Sequence, residues 1–99
     1  MAWQKRQGDL LIVKIDALPE GATDRKSRVL AEGERTGHSH TMDRGTTWSQ
    51  GSKLYLRLEG GPAKLEHPEH GSVTVPEGTY EIHRQREFHD ADHETRVVD

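Results

Sequence analysis

The longest apolar stretch in this chain is Leu10 to Ile15, broken at Lys14, and nearly every other apolar run is closed within a few residues by glycine or proline. No segment of useful length repeats its apolar residues every 3.6 positions, so the helical solutions that need a continuous apolar stripe are not available. What the pattern does allow is short strands. Lys53 to Glu59 alternates most clearly, with Leu54, Leu56 and Leu58 on one face and Lys53, Tyr55, Arg57 and Glu59 on the other. Leu10 to Ile15, nearly all apolar, reads as a strand covered on both faces. Arg28 to Ala31 restarts a strand that Gly33 ends or bulges, and Thr36 to Met42 forms another, closed by the turn Asp43-Arg44-Gly45.

Further along, Gly60-Gly61-Pro62 is a turn, Ala63 to His67 a strand, Pro68-Glu69-His70-Gly71 a turn, and Val73 and Val75 alternate towards Pro76-Glu77-Gly78. Thr79 to Phe88 reads as a long strand, His89 to Glu94 as an acidic helical turn, and Val97-Val98 as a terminal edge strand. Strands separated by turn signals every eight to twelve residues point to an all-β class. The expected architecture is a small β-sandwich or barrel of about six to eight short strands, residues 1–99 forming one β-rich domain.

The chain has 99 residues, 18 of them Leu, Ile, Val or Phe, and a formal charge of −3. That apolar share sits near the roughly 20% at which disorder becomes a serious reading, but disorder also asks for a high net charge. A folded domain with a thin core is the expectation, and thin cores gain from a metal, a partner or self-association. Residues 1–50 carry 8 basic and 7 acidic side chains, residues 51–99 carry 6 and 10, and no basic block stands out. A nucleic-acid partner is therefore disfavoured, resting only on Arg84 and Arg86. There is no cysteine, which removes disulfides, thiolate metal sites and cysteine nucleophiles together. No membrane-spanning or leader-like apolar stretch occurs, so a cytoplasmic location is the default expectation.

Seven histidines stand at positions 38, 40, 67, 70, 83, 89 and 93. Their spacings are close to what that number of histidines produces by chance, so geometry has to add the argument. On a strand, His38 and His40 share a face about 6.6 Å apart, close enough for two imidazoles to lean onto one ion. His67 and His70 flank a turn forced by Pro68 and can supply further ligands from a neighbouring strand end. The candidate metal ligands are thus His38, His40, His67 and His70, and neutral imidazole suits zinc, iron, nickel or copper alike. His83 has the parity opposite to Ile82 and is expected to face away from the core. His89 and His93 sit in an acidic tail and read as a solvated end.

Two resemblances follow from these residues. Gly37-His38-Ser39-His40, then Val75-Pro76-Glu77-Gly78 and His83, resembles the two signature stretches of the cupins, small β-barrels that bind a metal through His-x-His, a glutamate and a later histidine. The resemblance implies His38 and His40 as ligands, while Arg44 and Gly45 stand where the cupin glutamate falls. Across nearly the whole chain, Gln7-Gly8-Asp9-Leu10-Leu11, Gly37-His38-Ser39-His40, His67-Pro68-Glu69-His70, Pro76-Glu77-Gly78-Thr79-Tyr80, Arg84-Gln85-Arg86-Glu87-Phe88 and Arg96-Val97-Val98-Asp99 resemble a family of short uncharacterised bacterial proteins. That likeness implies a complete domain and transfers no activity.

Several chemistries are absent. No phosphate-cradling glycine loop or Gly-x-Ser-x-Gly elbow occurs, and Pro68 with the wrong spacing removes Glu66-His67-Pro68-Glu69-His70 from the metalloprotease helices. Two functions remain. One is a histidine-rich β-domain that binds a transition metal through the His-x-His pair, in a structural or catalytic role. The other is a non-enzymatic interaction or assembly module, a homo-oligomer or a protein binder, that associates through sheet edges such as Val97-Val98.

Overall fold

Hairpins assemble the chain, and their turns are written in its glycines and prolines. The structure, a computed structural model, describes residues 3–32 and 38–84. Among these, ten strands form: β1 (Gln4–Gln7), β2 (Leu10–Ile15), β3 (Thr23–Asp24), β4 (Val29–Glu32), β5 (Ser39–Met42), β6 (Thr46–Gln50), β7 (Lys53–Leu58), β8 (Ala63–His67), β9 (His70–Val75) and β10 (Gly78–Arg84). No helix occurs among the described residues, and so none is long and apolar enough to cross a membrane.

The strands make two antiparallel sheets. One has six strands in the order β1-β2-β10-β7-β6-β3, the other four in the order β4-β5-β8-β9. Between them lies the core, with Leu10, Ile12, Met42, Leu56, Leu65, Val75 and Tyr80 fully buried. The leucines of β7 behave as their alternation requires, with Leu56 and Leu58 buried and Leu54 packed at the core's margin. Tyr80 and Ile82 of β10 are buried while His83 between the sheet and solvent is not, which is the expected parity.

Four expectations change. The sheets remain two and do not close into a barrel, so the barrel form, and with it the cupin-like architecture, is set aside in favour of the sandwich. Ten strands replace the six to eight expected, because β1, β3 and β6 are polar segments recruited by pairing rather than by their own apolar pattern. Strand β2 buries Leu10 and Ile12 but leaves Leu11 and Val13 half-buried, so one of its faces is core and the other only partly covered. The turn expected at 68–71 is shorter than its residues suggest, since His70 already pairs across from His67. Strand β4 carries a bulge between Val29 and Ala31, which lets the consecutive Leu30 and Ala31 both be buried. Gly33, Thr36, Gly37, Arg86, Phe88, His89, His93, Val97 and Val98 lie outside the described residues.

A histidine corner at one end of the sandwich

In β5, His40 shares the parity of Met42 and therefore points into the space between the sheets, where it is only 4% exposed. The β5–β8 register pairs Met42 with Leu65 and Thr41 with Glu66. One residue further along the same antiparallel register, His40 meets His67. The β8–β9 hairpin then sets His67 opposite His70 across the two-residue turn Pro68-Glu69, in which proline's fixed φ and missing N–H suit the first turn position. The outcome is a triangle of imidazoles from three adjacent strands. Ring centres are 4.4 Å apart for His40 and His67, 4.5 Å for His67 and His70, and 6.1 Å for His40 and His70. His38 stands edge-on to His67 at 5.7 Å, with its Nδ1 3.5 Å from Glu69. All four histidines chosen from the sequence thus meet in one corner. His83 is elsewhere, on the outer face of the six-stranded sheet, 3.9 Å from Glu81.

Two residues that the sequence reading did not single out organise this corner. Gln7, the last residue of β1, is buried, and its amide nitrogen donates to the carbonyls of Leu65 (3.0 Å) and Gly71 (2.9 Å). Those two acceptors decide which way the amide points, so its Oε1 is the atom that meets His40 Nδ1 at 2.7 Å. An amide oxygen only accepts, so Nδ1 must carry the proton and donate. The Nε2 of the neutral ring is then a bare lone pair. It faces the Asp9 carboxylate, 3.5 Å from Oδ1. Burial first, and then the neighbouring His67, push the His40 pKa down to about 4, while Asp9 pulls the other way. The ring is neutral at pH 7. His67 is also held below the ordinary histidine value, by burial, His70 and His38, and its Nδ1 accepts the backbone N–H of Glu69 at 3.0 Å.

From Gln7 to Arg84, every residue of this corner falls in the stretch 6–85 that matches the family model described as Domain of unknown function (DUF8820). The chain belongs to the DUF8820 family. That match carries neither a cupin assignment nor a bacterial source. No curated protein and no solved structure matches this chain.

The DUF8820 segment also contains the turn that makes the corner possible. Gln7 and Leu10 close a two-residue hairpin over Gly8 and Asp9. Gly8 has φ 60° while Asp9 keeps a negative φ, the signature of a type II′ turn, which calls for glycine first. A Cβ on Gly8 would lie 2.6 Å from His70 Nε2, so the glycine serves both the turn and the approach of the ring. Gly8→Ala is expected to cost about 1–2 kcal/mol through the left-handed backbone and to drive the exposed His70 ring out of the corner. Urea unfolding and the His70 ring chemical shifts check this; unchanged shifts would show that the close approach does not constrain the ring. Asp9 Oδ2 is 3.6 Å from the Arg84 guanidinium, which also donates to the Glu32 carbonyl at 3.3 Å. With the rings as they stand, no group of three or more His, Asp or Glu side chains among the described residues is arranged to hold a metal ion. In the β8–β9 hairpin the Glu69 N–H occupies the Nδ1 lone pair of His67.

Proposed function

We propose that this corner binds one transition-metal ion through His40, His67 and His70, with His38 at its rim. The observation that carries the reading is the triangle of the His40, His67 and His70 rings, of which His40 carries an unprotonated Nε2. Imidazoles that share a tetrahedral ion at 2.0–2.1 Å per nitrogen have ring centres about 5 Å apart, and the spacings of 4.4, 4.5 and 6.1 Å bracket that value. The Gln7–His40 hydrogen bond is the kind of outer contact that fixes tautomer and ring orientation in metal-bound histidines. Ligation asks His67 to release the Glu69 N–H and turn. His67 is half-buried and His70 exposed, so both rings can turn without disturbing the core. Zinc, iron, nickel and copper all accept neutral imidazole. An ion held between strands of a thin sandwich contributes folding energy directly, which favours a structural role over a catalytic one.

Elemental analysis of untagged protein prepared without chelator is expected to find one equivalent of metal per chain. His40→Ala, His67→Ala and His70→Ala are each expected to abolish it, His38→Ala to weaken it, and His83→Ala to leave it unchanged. At a free metal concentration about 100 times Kd, the ion should stabilise the wild type by roughly 2.7 kcal/mol. Wild-type protein that holds no metal and shows no thermal shift on addition of zinc, iron, nickel or copper would falsify the reading.

A further inference from the structure

We infer that Asp9 is a ligand of the same ion and the residue that tunes the corner towards harder divalent metals; this rests on the metal-binding reading above. The argument begins with an unfavourable contact. His40 Nε2 and Asp9 Oδ1 face each other at 3.5 Å, and the orientation of Gln7 has already placed the ring proton on the far nitrogen. A neutral-ring lone pair and a carboxylate oxygen are both acceptors, and nothing in their own chemistry draws them together. A cation between them does. Arg84 does not fill that role, because it sits against the other carboxylate oxygen, Oδ2, at 3.6 Å. There it holds the carboxylate with Oδ1 turned to the histidine, as outer partners commonly orient a ligating carboxylate.

The β1–β2 hairpin adds to this. Its four residues Gln7 to Leu10 place the amide that fixes His40, the glycine that admits His70 and the carboxylate that faces His40 within one tight turn. An oxygen donor beside three imidazoles makes the site harder, suited to zinc, cobalt or iron in the divalent state. Cuprous copper, a soft ion, gains little from a carboxylate.

Cobalt(II) is the probe, because its visible absorption reports the donor set. Wild-type protein is expected to take up one cobalt(II). Asp9→Asn, with circular dichroism confirming an intact sandwich, should bind cobalt(II) at least about tenfold more weakly with shifted absorption bands, and should keep its affinity for copper(I) within about twofold. Arg84→Gln separates ligation from a purely structural Asp9–Arg84 pair. It removes the same ion pair yet should retain the cobalt(II) spectrum. Asp9→Asn with wild-type cobalt(II) affinity and spectrum overturns the inference and leaves the histidine reading intact, and so does an Arg84→Gln protein whose cobalt(II) absorption bands shift as those of Asp9→Asn do. No cobalt(II) uptake by wild-type protein overturns both.

Discussion

Replacing Gln7 with leucine is expected to destabilise the protein by about 2–5 kcal/mol, a large share of what a domain of this size has. The side chain satisfies three partners at once: the carbonyls of Leu65 and Gly71 and the Nδ1–H of His40. A leucine fills a similar volume and meets none of them. Each buried polar group left without a partner costs about 1–3 kcal/mol. The Gly71 carbonyl, on an exposed residue, can turn to water, so the lower part of the combined range belongs to it. At about 4–8 °C per kcal/mol for a chain this short, the melting temperature should fall by at least roughly 8 °C. The same substitution frees the His40 ring to exchange tautomers, which nitrogen-detected NMR reads independently of stability. A loss under 0.5 kcal/mol, with the ring tautomer unchanged, would show that water or a neighbour replaces the amide and that Gln7 does not govern the corner.

Acidification of metal-free protein should have an effect of similar size. His40 titrates at about 4 in the folded protein against 6.5 for an unperturbed histidine, chiefly because its ring is buried. Between those values the unfolded chain takes up a proton that the folded chain refuses. Stability is therefore complete above pH 6.5, falls as the pH drops through this window, and levels off below pH 4. The loss is about 2 kcal/mol from pH 7 to pH 5 and about 3 kcal/mol by pH 4. His67, displaced in the same direction, adds to the slope. Carboxylates titrate mainly below pH 5, so urea unfolding between pH 7 and pH 5 isolates the histidines. His40→Asn should flatten the profile in that interval. A wild-type stability that is level from pH 7 to pH 5 would mean that the ring is solvated or already protonated when folded.

Much of the sandwich was legible in residues whose own alternation decides their faces. Leu54, Leu56 and Leu58 name the inner side of β7, and Tyr80 and Ile82 fix β10 and hence the outward placement of His83. Strands β1 and β6 were not legible. Gln4 to Gln7 and Thr46 to Gln50 carry almost no apolar pattern and exist because β2 and β7 offer unpaired edges. The four histidines could be nominated from strand parity and the Pro68 turn, but their convergence depends on the β5–β8 register, which no local spacing encodes. Gln7 and Asp9 were missed because they act at separations of 31 to 75 residues in sequence. A local signal for their placement did exist: Gly8-Asp9 before Leu10-Leu11 is a two-residue hairpin pair of the glycine-first kind.

The Gln7 clamp also bears on the order of folding. Gln7 belongs to the six-stranded sheet, and its three partners lie on β5, β8 and β9 of the other. The hairpins β1–β2, β4–β5, β6–β7 and β8–β9 can pair first, since their contacts are close in sequence, while the β2–β10 pairing and the contacts across the sandwich must wait for long loops to close. In a species with both sheets formed but not yet docked, the His40 proton is free to sit on either nitrogen. Its confinement to Nδ1 is a property of the docked sandwich alone. A proton's position on one ring therefore serves as an internal clock for refolding, separating the arrival of the sheets from their closure.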